Sequence, residues 1–213
     1  MKKDKILFCE ESSIKNLFEK AKITDEKIDN YIIKNAKLEN LNLYNLDFSN
    51  VEFEEISLQE CNFDKTSFVD CIFKNCNLSN SNFENSSFIR CKFYNTKLTG
   101  TVFLDSRFYN LKIEETNGNF SNFTNSVLEN VEFEKSIFRN SYFQESKFKK
   151  LEINETDFTF AQFLKTKLKD IDLSKAIISG ITVYPEDLKG AIIDEMQAIE
   201  LVGLLGVKIA GHK

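Results

Sequence analysis

The amino-acid sequence predicts a solenoid, a rod of short repeats stacked coil on coil, and three observations carry that prediction. First, in residues 71–88, CIFKNCNLSNSNFENSSF, the large apolar residues Phe73, Leu78, Phe83 and Phe88 return at every fifth position. That spacing matches neither the alternation of a half-buried strand nor the 3.6-residue period of a helix. Second, steps of five from Leu38 to Val183 give 30 positions holding 17 Phe, 8 Leu, 3 Ile, 1 Val and one glycine, Gly118. The chain has 21 Phe, so one residue class in five holds most of them. Third, the position two residues earlier holds 8 Ser, 6 Thr, 4 Cys, 3 Ala and 9 aliphatic residues, and none is charged. The other three positions carry nearly all the Lys, Arg, Glu, Asp and Asn. Each unit therefore turns one large and one small side chain inward and three outward. A unit so short cannot bury its apolar face alone and needs stacked neighbours.

The elements follow in chain order. At the N-terminus, MKKDKILFCEESS has a four-residue apolar run, Ile6 to Cys9, too short for a signal peptide. No segment approaches a membrane span, so a cytoplasmic location is expected. Residues 14–21, IKNLFEKA, place Ile14, Leu17, Phe18 and Ala21 on one helical face, with Ser12 or Ser13 as the cap. Such a helix plugs the first coil. Ile23, Ile28 and Ile33 already keep the fivefold phase, so the coil is expected to begin near residue 23. The expected organisation is an N-terminal cap over 1–22, repeats over 23–185, and a helix and tail over 186–213.

Units such as CNLSN (76–80), SNFEN (81–85) and SSFIR (86–90) resemble those of pentapeptide-repeat proteins. The consensus there is a small residue, Asn or Asp, Leu or Phe, then two variable polar positions. The resemblance runs from about residue 36 to residue 183. It implies an all-β solenoid, a right-handed quadrilateral β-helix with one pentapeptide per side, ending in a short C-terminal α-helix. Core residues four units apart then stack, so Phe48, Phe68, Phe88 and Phe108 form one column and Phe63, Phe83 and Phe103 another. At ~4.8 Å per coil the rod is roughly 35 Å long.

Cys61, Cys71, Cys76 and Cys91 occupy the small inward position, where other units carry Ser, Thr or Ala. Small buried side chains account for them, and with no His nearby no metal is expected. Gly118 is the one core position without a bulky side chain. The stretch Asn117, Gly118, Asn119, Phe120 is turn chemistry that keeps the phase of five. Two readings stay open: a bulge with Phe120 swinging inward to fill the void, or a small loop projecting outward.

After Pro185, Asp194 is placed to cap a helix over about 195–205 that Gly206 stops. Met196, Ile199, Leu201, Val202, Leu204 and Leu205 make it too apolar for one-sided packing, so it plugs the last coil, pairs with a second subunit, or does both. Residues 188–209 also resemble the C-terminal segment of Qnr-type quinolone-resistance proteins, where a helix and following strand build the dimer. That resemblance implies a homodimer that binds DNA gyrase or topoisomerase IV, imitates duplex DNA, and shields the enzyme from fluoroquinolones. Gram-negative members carry two loops that interrupt the coils; here only the Gly118 irregularity is evident.

The four faces differ in charge. The face of Phe53 and its stacked partners carries Glu52, Glu54, Glu55, Glu114, Glu115, Glu132, Glu134, Glu152, Glu155 and Asp172 against Lys74, Lys92, Lys112, Lys135 and Lys175. The face of Phe48 is basic. Ten carboxylates over six rungs are one per ~3 Å, but net charge is one per ~6 Å, against one per ~1.7 Å in duplex DNA. The stripe is a diluted imitation of DNA, or simply a solvated face. The chain's net charge of −5 argues against direct nucleic-acid binding. The lone His212 lies in the tail, no catalytic motif is present, and paired acids on a convex rod have no cleft. No enzyme activity and no cofactor are expected. The alternatives to topoisomerase protection are an immunity factor against a gyrase-targeting peptide or natural product, and a structural or adaptor rod.

Overall fold

A computed structural model describing residues 5–207 and Ala210 is a parallel β-solenoid closed by a short C-terminal helix. His212 lies outside the described residues. The chain enters as strand β1 (Ile6–Phe8) and helix α1 (Glu11–Thr24). The strands β2 (Ile28–Asp29), β4 (Asp47–Ser49), β6 (Ser67–Val69) and β8 (Ser87–Ile89) then climb the Phe48 face. The Phe53 face carries β3 (Tyr31–Lys34), β5 (Glu52–Glu54), β7 (Ile72–Lys74) and β9 (Lys92–Tyr94). Three longer strands, β10 (Arg107–Glu114), β11 (Val127–Glu134) and β12 (Lys147–Asn154), run across both faces. The faces of Leu38 and Leu43 are held by single bridges such as Lys37–Ser57 and Asn42–Asn62. Partners are always twenty residues apart in these coils, for example Phe48 with Phe68 and Phe53 with Phe73.

A corner every five residues needs a backbone that reverses direction. The structure supplies it two residues after each core position, where φ lies between 45° and 67° from Asn30 to Asp170. Asn fills many of these corners because its short polar side chain tolerates the left-handed region. Inside the square, the rings of Phe63, Phe83, Phe103, Phe123, Phe143 and Phe163 stack with successive centroid separations of 4.6, 5.3, 4.8, 4.9 and 5.2 Å. Burial of one such ring contributes about 1.5–3 kcal/mol.

The small inward residues have a role that the spacing alone did not reveal. Ser86 Oγ accepts from the Thr66 N–H at 3.1 Å and donates to the Phe63 carbonyl at 2.7 Å. Ser106 repeats both bonds one coil on, with Ser86 N–H and the Phe83 carbonyl. These hydroxyls satisfy backbone groups that the corners leave without ladder partners, which a buried backbone requires.

Gly118 breaks neither the wall nor the register. Asn117 bridges Lys97 above and Ile137 below, and the Gly118 N–H donates to the Ile137 carbonyl at 2.7 Å. The expected inward swing of Phe120 does not occur, nor does a projecting loop: Phe120 is a left-handed corner residue, 55% exposed. The void is filled from the next coil instead, by the Phe138 ring, which a β-carbon at Gly118 would strike.

Two expectations at the N-terminus also change. Helix α1 starts two or three residues earlier than a Ser12 or Ser13 cap allows, and Glu10 at the cap position makes no side-chain capping bond. Glu11 is engaged elsewhere, accepting the Lys37 N–H at 2.9 Å. Ile23 rides on the outer side of α1 and is 83% exposed, so the coil begins at Ile28 rather than near residue 23. The helix plugs the first coil through Phe18, whose ring meets Phe48 edge-on at 5.8 Å. Because α1 occupies chain length, β1 pairs twenty-five residues ahead, Ile6 with Tyr31.

The ladder fails in one place. Between β12 and residues 167–174, on the Phe48 and Phe53 faces, no backbone hydrogen bond or bridge is present among the described residues. On the other two faces the same coils stay joined, Asp157 to Ile177 and Gln162 to Thr182. Pairing resumes one coil on, where the Leu168 N–H donates to the Asp187 carbonyl at 2.8 Å.

Candidate functional site

The predicted acidic residues do share one face, but ion pairing engages five of the ten, Glu52, Glu54, Glu114, Glu132 and Glu134. Lys112 Nζ sits 2.8 Å from Glu134, 3.1 Å from Glu114 and 3.3 Å from Glu132. These residues meet because β10 and β11 are in register, Lys112 beside Glu132 and Glu114 beside Glu134. The Glu134 carboxylate, then that of Glu114, holds the Lys112 ammonium well above its ordinary pKa. In return Lys112 lowers that of Glu134. Three coils toward the N-terminus, Lys74 lies 3.1 Å from Glu54 and lowers its pKa, and Lys5 lies 3.5 Å from Glu52. Glu55 and Glu115 stand at exposed corners, and Glu115 raises the Tyr94 phenol. Asp172 accepts the Ser174 N–H and hydroxyl at 2.9 and 2.6 Å, which lowers its carboxyl. Glu152 and Glu155 have no ion-pair partner among the described residues. Sequence alone counts charges per face; only the rung contacts reveal which of them cancel.

At the C-terminus, α2 (Glu195–Leu201) is followed by one turn of 3₁₀ helix, Val202–Leu205, that stops at left-handed Gly206. Asp194 caps it: its carboxylate accepts the Gln197 N–H at 2.8 Å, and the Gln197 side chain accepts the Asp194 N–H. Gln197 then reaches into the last coil, where its amide donates to the carbonyls of Leu173 and Ala176, each at 2.8 Å. No apolar pattern marks this polar plug, and the sequence reading missed it. The outer side of the helix stays uncovered, with Met196 69% and Leu205 65% exposed. Ile199 and Leu204 are also exposed, while Leu201 and Val202 are half-buried. Leu188, Ile193, Leu201, Val202 and Leu205 line an apolar groove of about 460 Å³ beside the helix.

The cysteines act as the small inward residues they replace. Cys61 Sγ donates to the Leu38 carbonyl at 3.0 Å and Cys76 to Phe53 at 3.3 Å. Burial pushes these thiols up to about 11 and about 12. No cluster of metal-ligating side chains exists among the described residues.

A rod of stacked five-residue units, with left-handed corners and an aromatic axis, defines a class of protein. Family models of a pentapeptide repeat region and of pentapeptide repeats in eight copies match residues 66–136 and 36–75. Residues 36–136 are thus matched as pentapeptide repeats, and the fold of the chain is similar to that of the Qnr type. A trypsin-treated form of QnrB1, a plasmid-mediated fluoroquinolone resistance protein, overlays with a TM-score of 0.58 at 23% identity, covering 85% of this chain and 90% of that one. Full-length QnrB1 gives 0.47 at 24% identity, covering 85% and 95%. HetL, from the cyanobacterium Nostoc sp. strain PCC 7120 and involved in heterocyst differentiation regulation, gives 0.35 at 12%, covering 83% and 95%. No curated protein sequence matches the chain. Among the described residues no helix is long and apolar enough to cross a membrane.

Proposed function

We propose that the chain is a binding protein without catalytic activity that engages a type II topoisomerase, DNA gyrase or topoisomerase IV, and shields it from fluoroquinolones. The observation that carries this reading is the overlay of 85% of the chain on a fluoroquinolone resistance protein. The segregated acids of the Phe53 face support it. Because Lys112 pairs with three of them and offsets one charge, imitation of duplex DNA rests more on the shape of a rigid rod than on charge density. The uncovered apolar groove and Met196, Ile199, Leu204 and Leu205 support a two-fold, tail-to-tail homodimer that doubles the rod.

DNA supercoiling by gyrase in the presence of ciprofloxacin tests the reading, titrated with the full chain and with a Met196→Asp/Leu205→Asp variant. The expected result is rescue by the full chain, with the variant monomeric in sedimentation and weaker. Absence of rescue at every ratio removes the proposal. Capture of gyrase without rescue favours an immunity factor against another gyrase poison. Absence of capture favours a structural or adaptor rod.

A further inference from the structure

We propose that the break in the wall beside β12 is a docking slot for an extended peptide of a protein partner, acidic along the Phe48 face and basic along the Phe53 face. Three independent observations converge there. The first is backbone. In intact coils the core residue and the corner residue donate N–H groups to the next coil, as Phe143 does to Gln162 and Glu145 to Leu164, at 2.8 and 3.0 Å. The equivalent N–H groups of Phe148, Lys150, Ile153 and Glu155 have no such acceptor among the described residues. β12 is therefore an eight-residue edge strand inside a solenoid, with a row of donors open to a further strand.

The second is packing. Phe148, Leu151 and Ile153 are only half-buried, whereas their equivalents one coil earlier, Leu128, Val131 and Phe133, are buried. A small internal cavity bounded by Phe148, Leu151, Ile153, Leu168, Ile171 and Leu173 lies behind the break. A peptide that turns a corner opposite Lys150, with apolar residues opposite Phe148, Leu151 and Ile153, would cover this opening.

The third is charge. Lys147, Lys149, Lys150, Lys167 and Lys169 flank the break on the Phe48 face and are exposed, against one acid there, Asp170. Among the described residues only Lys149 is ion-paired, to Glu129 at 3.3 Å. Stacked like charges one rung apart repel, so their clustering opposes folding and favours an anionic visitor. On the Phe53 face the break is flanked by Glu152, Glu155 and Asp172 against one base, Lys175. That reversal selects against a polynucleotide, whose phosphates would meet the acids and which offers no strand ladder. The proposal is independent of the topoisomerase reading.

Amide hydrogen exchange of the full chain provides the first test. Phe148, Lys150, Ile153 and Glu155 are expected to exchange at least about 100-fold faster than Leu128, Asn130, Phe133 and Lys135. Equal protection in the two sets would mean a closed wall and would overturn the proposal. The second test uses fluorescein-labelled octapeptides of sequence Glu-Val-Glu-Gly-Val-Lys-Val-Lys, with the glycine opposite the Lys150 corner, in both sequence directions. One direction is expected to bind saturably and to slow β12 exchange at least about tenfold. Its N-methylated counterpart, and the Lys147→Glu/Lys169→Glu variant with unchanged circular dichroism, are expected to lose at least about tenfold in affinity. Failure of both directions to bind, indifference to N-methylation or to the charge reversal, or stronger binding of short duplex DNA would each overturn it.

Discussion

Replacing Phe88 by alanine removes a ring packed on every side. Phe88 is fully buried, with stacked neighbours Phe68 at 4.9 Å and Phe108 at 5.1 Å. Phe83, Phe93 and Phe103 surround it at 5.6, 5.7 and 5.8 Å. The void cannot collapse along the axis, because β8 is hydrogen-bonded to β6 on one side and β10 on the other. The expected cost is therefore at the upper end of the ~3–5 kcal/mol range for phenylalanine truncation. Phe148→Ala provides the internal comparison. That ring is half-buried beside the break in the wall, so its loss is expected to cost about 1–2 kcal/mol. Guanidinium denaturation followed by circular dichroism measures both. A cost for Phe88→Ala below ~1.5 kcal/mol, or one equal to that of Phe148→Ala, would refute the claim that axial stacking stabilises the rod.

Phe120→Asn is expected to stabilise the protein by roughly 0.5–1 kcal/mol in the same assay, since Phe120 holds a left-handed φ of 60° while 55% exposed. Gln197→Leu strips the Leu173 and Ala176 carbonyls of their donor and breaks the capping box, with an expected cost of about 1–3 kcal/mol and faster amide exchange in the last coil. Glu134 has a folded pKa below its ordinary 4.5, so its contribution is present above that value and lost as pH falls through the folded one. Lys112→Gln should therefore flatten the loss of stability below about pH 4.5, read from denaturation midpoints across the acid range. An unchanged slope would mean that the cross-coil cluster contributes nothing.

The solenoid was legible because each of its coils obeys the same local rule. Phe at one position in five and Ser, Thr or Cys two residues earlier identify the inward side chains without reference to any partner. The Asp194 cap and Gly206 stop were equally local, and both hold. Asn at the corner position carried a further signal, the left-handed backbone, that spacing alone did not decode.

Other features depend on which coils meet, twenty residues apart and farther. Gly118 reads as a bulge or a projecting loop within its own unit, but the ring that fills it arrives from Phe138 in the next coil. The acids of the Phe53 face add up to a stripe on paper, yet Lys112 gathers three of them across two rungs. The open edge of β12 has no local mark at all, since its residues keep the repeat while the adjoining coil fails to pair. Inward or outward direction is set by the local backbone and is written in each five-residue unit, whereas hydrogen bonding and charge cancellation between coils are set by non-local distance, which only the folded rod fixes.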